Sequence, residues 1–202
     1  MRRRNVKLLL LGLFLCCAAC QRSRSNAPAQ ANNANMANTE NANSNTGPSV
    51  SLPVTSTAFK EGELIPVEFT CTGADKSPPL AWGDVPTGTK TLALILEDPD
   101  APRGTFAHWL LYNLPATAKE LPADVPKQET LNDGAHQGKN DFGHIGYNGP
   151  CPPPGNPHRY YFRLYALNAD LNLPSNVTRD DLRRATLGHI LAEGALMGRF
   201  KR

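Results

Sequence analysis

The spacing of hydrophobic and polar positions changes several times along the chain, and the changes divide it. Leu8 to Leu15 is an almost unbroken apolar run behind the basic residues Arg2, Arg3, Arg4 and Lys7. Residues 21–49 are rich in Asn, Ala and Ser, with no aromatic and only Met36 as a large apolar residue. From Val50 onward, short strand-like patterns dominate. Val50-Ser51-Leu52-Pro53-Val54 alternates, and Pro53, which has no N–H to give to a ladder, confines it to a sheet edge. Ile65 to Thr70 predicts a second strand, and Ser77-Pro78-Pro79-Leu80-Ala81-Trp82 a stiff extended segment. Thr91 to Glu97 is nearly all apolar, the pattern of a strand buried on both faces. Phe106 to Leu114 and His158 to Leu167 complete the strand set.

Only near the C-terminus does the period become helical. Thr178 can cap a helix, with Asp181 as its capping-box partner. Leu182, Ala185, Ile190 and Leu196 then recur at roughly helical spacing, so the helix is expected to run through His189, which reads as a packing or capping group. Ala116 to Asn148 is rich in Gly, Asp and Asn and predicts a loop with a small helical piece. Several strands and one late helix argue for a mostly-β domain over residues 50–202, long enough to bury a real core.

The N-terminal pattern changes where this domain is expected to reside. A basic start, an apolar run too short to span a bilayer permanently, and Cys17-Ala18-Ala19 before Cys20 read as an export signal over residues 1–19. Cys directly after Ala18-Ala19 resembles a lipobox, which makes Cys20 the expected lipidated N-terminus; an ordinary cleaved signal is the alternative. Gln21 after that cysteine, rather than Asp, suggests outer-membrane sorting, with the domain facing the periplasm. Residues 20–49 then form a lipid-anchored, disordered tether, too poor in apolar surface to offset its own ordering.

Charge excludes one class of partner. The formal +3 comes from the signal: four of the 21 Lys and Arg precede Cys20, leaving 17 against 18 Asp and Glu, a net of −1. No basic excess remains to bind nucleic acid.

Two proline-stiffened stretches carry the candidate chemistry. Asp98-Pro99-Asp100-Ala101-Pro102 precedes His108-Trp109; Gly149-Pro150-Cys151-Pro152-Pro153-Pro154-Gly155 precedes His158-Arg159-Tyr160. Strand alternation puts His158, Tyr160 and Phe162 on one face, and Phe106, His108 and Leu110 on one face with Trp109 opposite. An extended backbone points Asp98 and Asp100 to one side. Protonated His108 and His158, with the Tyr160 hydroxyl and backbone N–H groups, would favour an oxyanion such as phosphate. The two carboxylates would orient the imidazoles or meet a cationic group on the ligand. By residue type alone, a rigid turn and a rigid loop explain these stretches equally well.

These motifs together closely resemble the phosphatidylethanolamine-binding protein family, nearest to its bacterial Raf-kinase-inhibitor-like branch. Phe69-Thr70-Cys71-Thr72-Gly73-Ala74-Asp75, Ser77 to Trp82 and Gly188-His189-Ile190-Leu191-Ala192-Glu193 resemble that branch too, and the similarity spans essentially Val50 to Arg202. The resemblance implies a large central antiparallel sheet, a smaller sheet, a C-terminal helix, and a shallow anion pocket at the sheet edge. Members bind phosphate-like groups there, including phospholipid head groups. The pocket residues it implies are Asp98, Asp100, His108, His158 and Tyr160, with Gly149, Pro150, Pro152 and Pro153 as a wall. The loop from Cys151 to His158 is about one residue longer than is usual in the family, and the pocket is expected to differ from its relatives there. Animal members have been linked to kinase regulation and some members to protease inhibition, so a protease- or partner-inhibiting interaction protein is a competing class.

Cys71 and Cys151, both near pocket segments in an exported protein, invite a disulfide, with two buried free thiols as the alternative. A Cys151–His158 hydrolase is the enzymatic rival, though the chain lacks a Gly-x-Ser-x-Gly elbow. A zinc site from Asp98, His108, Cys151 and His158 is a further rival without Cys-x-x-Cys or His-x-x-x-His spacing. The expected protein is therefore a non-enzymatic lipoprotein without cofactor or metal. Its expected partners are a small anionic or phosphorylated ligand and the membrane through its anchor.

Overall fold

A computed structural model describes residues 50–202, apart from residue 175. The export signal, the lipidation site Cys20 and the tether lie outside the described residues.

Nine strands, one 3-10 turn and one helix are present among the described residues. The strands are β1 (Val50–Ser51), β2 (Val54–Thr55), β3 (Leu80–Trp82), β4 (Thr91–Asp98), β5 (Phe106–Pro115), β6 (Glu120–Leu121), β7 (His136–Gln137), β8 (His158–Leu167) and β9 (Ile190–Phe200); the helix α1 is Arg179–Thr186. Six strands form the large sheet in the order β1-β9-β8-β4-β5-β7, and three form the small sheet in the order β2-β3-β6. The large sheet is antiparallel except at one edge, where β1 runs parallel to β9.

Strand β4 sits near the sheet centre and is buried along its whole length, as its apolar run predicts. Its alternate side chains serve two cores. Leu92, Leu94 and Leu96 pack with Trp109, Tyr160, Phe162 and the small-sheet residues Leu80 and Trp82. Ala93 and Ile95 pack on the other face with Tyr112, Tyr165, Val177 and Leu182 of α1.

The predicted edge strand at 50–54 is two strands. Leu52 and Pro53 carry the chain from the edge of the large sheet to the edge of the small one, and a Cβ at Gly194 would collide with the Leu52 carbonyl at 1.6 Å. The segment predicted as a strand at 65–70 is instead a 3-10 turn, Val67–Phe69, entered through Pro66 and closed by Thr70 N–H to the Val67 carbonyl. No helical piece forms within 116–148; β6, β7 and hydrogen-bonded turns occupy it.

Helix α1 begins at the predicted cap, where Thr178 and Asp181 exchange side-chain-to-backbone hydrogen bonds in both directions. It is shorter than predicted. Leu187 leaves helical geometry and Gly188 follows at φ +78°, so Ile190 and Leu196 belong to β9 rather than to the helix. His189 lies between the two elements, its Nδ1 2.9 Å from Asn168 Oδ1.

Candidate functional site

The end of β4, the start of β5 and the start of β8 converge at one rim of the large sheet. The register that puts Glu97 opposite Tyr161 brings the end of β4 to the start of β8. Here Asp98 is almost fully buried, and its Oδ2 lies 2.8 Å from His158 Nδ1. A carboxylate only accepts, so Nδ1 carries the proton of that bond and Nε2 is left for another partner. The second Asp98 oxygen accepts the Asp100 N–H at 2.8 Å, a side-chain turn across Pro99.

Asp100 departs from expectation. Its carboxylate does not line the pocket but is gripped by Arg159, from Nε at 2.9 Å, Nη2 at 2.7 Å and the backbone N–H at 2.9 Å. These bonds hold its pKa down at about 2. Arginine is the residue suited to such a two-pronged grip. Asp98 and Asp100 therefore do not face one ligand together.

Alternation also fails at His108. Leu96 pairs with Trp109 and Glu97 with Ala107, so His108 is an extra residue, a β-bulge. The bulge sends His108 and Trp109 to the same face, where His108 packs edge-on to Tyr160 at 5.3 Å, and Leu110 goes to the opposite core. The His108 Nδ1 lies 3.0 Å from the Asn148 carbonyl and 3.1 Å from that of Gly149. Carbonyls only accept, so Nδ1 is the donor. Burial pushes the pKa of His108 down, against opposing contributions from those carbonyls and from Asp98. The ring is thus favoured as neutral, with Nε2 an acceptor, rather than as the imidazolium expected from residue type.

Tyr160 is fully buried, and its hydroxyl is the one buried side-chain polar atom among the described residues that makes no hydrogen bond of good geometry, although the Asp98 carboxylate and the Cys151 backbone lie close to it. Burial, then the nearby Asp98 charge, push its pKa well up, so it stays a protonated donor.

Cys71 and Cys151 form a disulfide with their Cα atoms 5.4 Å apart. The bridge ties the 69–75 segment to the pocket wall, and Asp75 reinforces it by accepting from Gly149 N–H at 2.7 Å, Asn148 Nδ2 at 3.1 Å and Lys127 Nζ at 2.8 Å. Gly149 is required by this approach, because a Cβ there would meet the Phe69 carbonyl at 2.4 Å.

The resulting cavity is about 170 Å³, lined by Asp98, Ala101, Pro102, Phe106, His108, Phe142, Cys151, Pro152, Pro153 and His158. Gly149, Pro150 and Tyr160 are not part of that lining. Pro154 to Pro157, the segment expected to set this pocket apart, is exposed and outside it.

Sequence reasoning missed two features. Glu97 is buried on the opposite face, held by Arg163 at 2.6 Å and by Arg183 of α1 at 3.5 Å; its signal was a carboxylate closing an apolar run. Phe142 lines the pocket from the 116–148 insertion, its signal a lone aromatic inside Asn140-Asp141-Phe142-Gly143. Among the described residues no cluster of three or more His, Cys, Asp or Glu is arranged to hold a metal.

Residues 55–201 match the family model described as phosphatidylethanolamine-binding protein. The chain is 48% identical over 153 residues to the UPF0098 protein of Aquifex aeolicus, covering 75% of this chain and 89% of that one. It is 45% identical over 150 residues to a UPF0098 protein of Pyrococcus abyssi, covering 73% and 84%. Among solved structures, a putative phosphatidylethanolamine-binding protein homologue from Chlamydia trachomatis superposes with a TM-score of 0.69 at 41% identity, covering 75% of this chain and 98% of that one. E. coli YbcL superposes with a TM-score of 0.71 at 34% identity, covering 76% and 99%.

Proposed function

The chain belongs to the phosphatidylethanolamine-binding protein family, and from that premise we propose that it is a non-catalytic protein that holds a small phosphate-like or other anionic ligand, a phospholipid head group among them, in the Asp98–His158 pocket. The observation that carries the proposal is the buried Tyr160 hydroxyl, without a well-formed hydrogen bond, on a ring packed edge-on to the pocket imidazole of His108. A donor kept dry and unpaired is costly unless a ligand oxygen or its bridging water receives it. His158, its tautomer fixed by Asp98, offers Nε2 to the same anion and donates from it when protonated. Neutral His108 accepts from a hydroxyl that the ligand itself carries, as a singly protonated phosphomonoester does. The Cys151 sulfur is bonded to Cys71, so the thiolate that a Cys-His hydrolase needs is unavailable while the bridge is intact.

Calorimetric titration of the full chain with a phosphomonoester at acid and alkaline pH, repeated on His158→Ala, tests this. Affinity is expected to fall as pH rises and to collapse in the variant; equal binding in every case refutes the proposal. We place the domain, on sequence grounds, on an outer-membrane lipid anchor at Cys20, facing the periplasm. Cys20→Ser should then move the protein from the membrane to the soluble fraction.

A further inference from the structure

Phe142 is 39% exposed, an unusual setting for a large aromatic ring, yet its backbone is fixed. The buried Asn140 side chain accepts from both Phe142 N–H and His144 N–H at 3.1 Å. Asp141 exchanges bonds with Ala107 in both directions, its Oδ2 accepting at 2.6 Å and its N–H donating at 2.9 Å. The ring meets Phe106 edge-on at 4.7 Å and His108 at 5.2 Å between centroids. Phe106, Phe142 and Pro153 therefore bring an apolar surface to a pocket whose polar groups are Asp98, His108 and His158.

The one carboxylate lining that pocket, Asp98, already bonds His158 and the Asp100 N–H, and Asp100 is taken by Arg159. An ammonium on the ligand would find no uncommitted carboxylate there. The cavity, at about 170 Å³, is well below the roughly 300–1,000 Å³ of sites that enclose drug-sized ligands. We infer that the site selects a small phosphomonoester carrying a compact apolar or aromatic group, and that Phe142 is the residue that selects it, by packing against that group while the phosphate sits among the imidazoles. The inference rests on the anion-binding reading above and narrows its ligand class.

Titrating the full chain with inorganic phosphate, phosphoethanolamine and phenyl phosphate tests it, with Phe142→Ala and Phe142→Leu alongside. An aromatic contact of ordinary strength makes phenyl phosphate roughly tenfold tighter than the other two probes. Phe142→Ala should reduce that preference to about twofold or less, phenyl phosphate losing more affinity than inorganic phosphate, and Phe142→Leu should fall between. Because the ring packs on Phe106 and His108, a drop of a few degrees in melting temperature is expected for Phe142→Ala and a smaller one for Phe142→Leu, with both variants still folded. Measurable inorganic phosphate binding with no preference for phenyl phosphate, tighter binding of phosphoethanolamine, or equal weakening of all three probes in Phe142→Ala overturns the inference and leaves the anion reading standing. No binding of any probe removes both.

Discussion

Replacing Tyr160 by phenylalanine removes one oxygen from a fully buried ring and leaves the rest of the side chain in place. Most substitutions in a core destabilise by about 1 kcal/mol. This one is expected to do the reverse in the ligand-free protein. The hydroxyl makes no well-formed hydrogen bond, its nearest polar neighbours being the Asp98 carboxylate and the Cys151 backbone, and a fully unpaired buried donor costs about 1–3 kcal/mol. The ring edge that replaces it recovers part of that cost, so a gain of about 1 kcal/mol is expected, or about 2–4 °C in melting temperature for a domain of this size. Because burial and Asp98 push the Tyr160 pKa up, the hydroxyl is protonated throughout the neutral range and the gain should be the same at pH 6 and pH 8. Urea unfolding of the full chain, without ligand, measures it. Phosphomonoester affinity should move the opposite way, by about 10- to 100-fold, the worth of one hydrogen bond to a charged acceptor. A ligand-free variant that is less stable by 1 kcal/mol or more would show that the hydroxyl is already satisfied in solution, and the reasoning would fail.

Three further outcomes follow from groups around the pocket. His108 is held neutral by burial, so acidification through the ordinary histidine value of 6.5 protonates the unfolded chain before the folded one. Stability should therefore fall as pH drops below about 6.5, and His108→Asn should flatten that slope in urea midpoints measured across pH 5 to 8. The Cys71–Cys151 bridge spans 80 residues, a loop whose closure is worth about 4–5 kcal/mol on chain-entropy grounds. The Cys71→Ser, Cys151→Ser double variant should lose a large part of that, and a thiol count on the denatured, unreduced domain should find neither cysteine free. The depressed pKa of Asp100 contributes stability that is present above the unfolded carboxylate value near 4 and is lost as pH falls toward about 2. Since the Arg159 partner is half exposed, Asp100→Asn should cost no more than about 1 kcal/mol at pH 7 and nothing measurable near pH 2.

The elements legible in the sequence are those whose pattern is local. The apolar run 91–97 could only be a doubly buried strand, and it is one. His158, Tyr160 and Phe162 alternate without interruption and share a face as expected, and the Thr178–Asp181 cap needs only four residues to form. Where a tertiary contact overrides the local pattern, the sequence misleads. Ile190 and Leu196 sit at helical spacing from Leu182, but Gly188 at φ +78° turns the chain, and pairing with β8 gives more hydrogen bonds than another helical turn would. The acidic pair flanking Pro99 reads as two equivalent carboxylates. What separates them is Arg159, 59 positions away in the chain, which takes one and leaves the other to His158.

The bulge at His108 explains why the pocket exists where the core ends. A regular β5 would place His108 and Trp109 on opposite faces. Trp109 is needed inside, with its Nε1 donating to the buried Gln137 at 2.6 Å, so a regular strand would send His108 to the face that carries α1, away from Tyr160. One extra residue lets consecutive side chains serve the same face, the first in the pocket and the second in the core. It also leaves the His108 carbonyl free to accept the Asn148 N–H at 3.1 Å, which draws in the wall bearing Gly149 and the disulfide. Deleting His108 would remove the extra residue, leave Ala107 and Trp109 in regular alternation, and take the imidazole out of the pocket. The pocket should then disappear while the centre of the sheet keeps its register. That separation makes the bulge, rather than any single polar residue, the structural origin of the site.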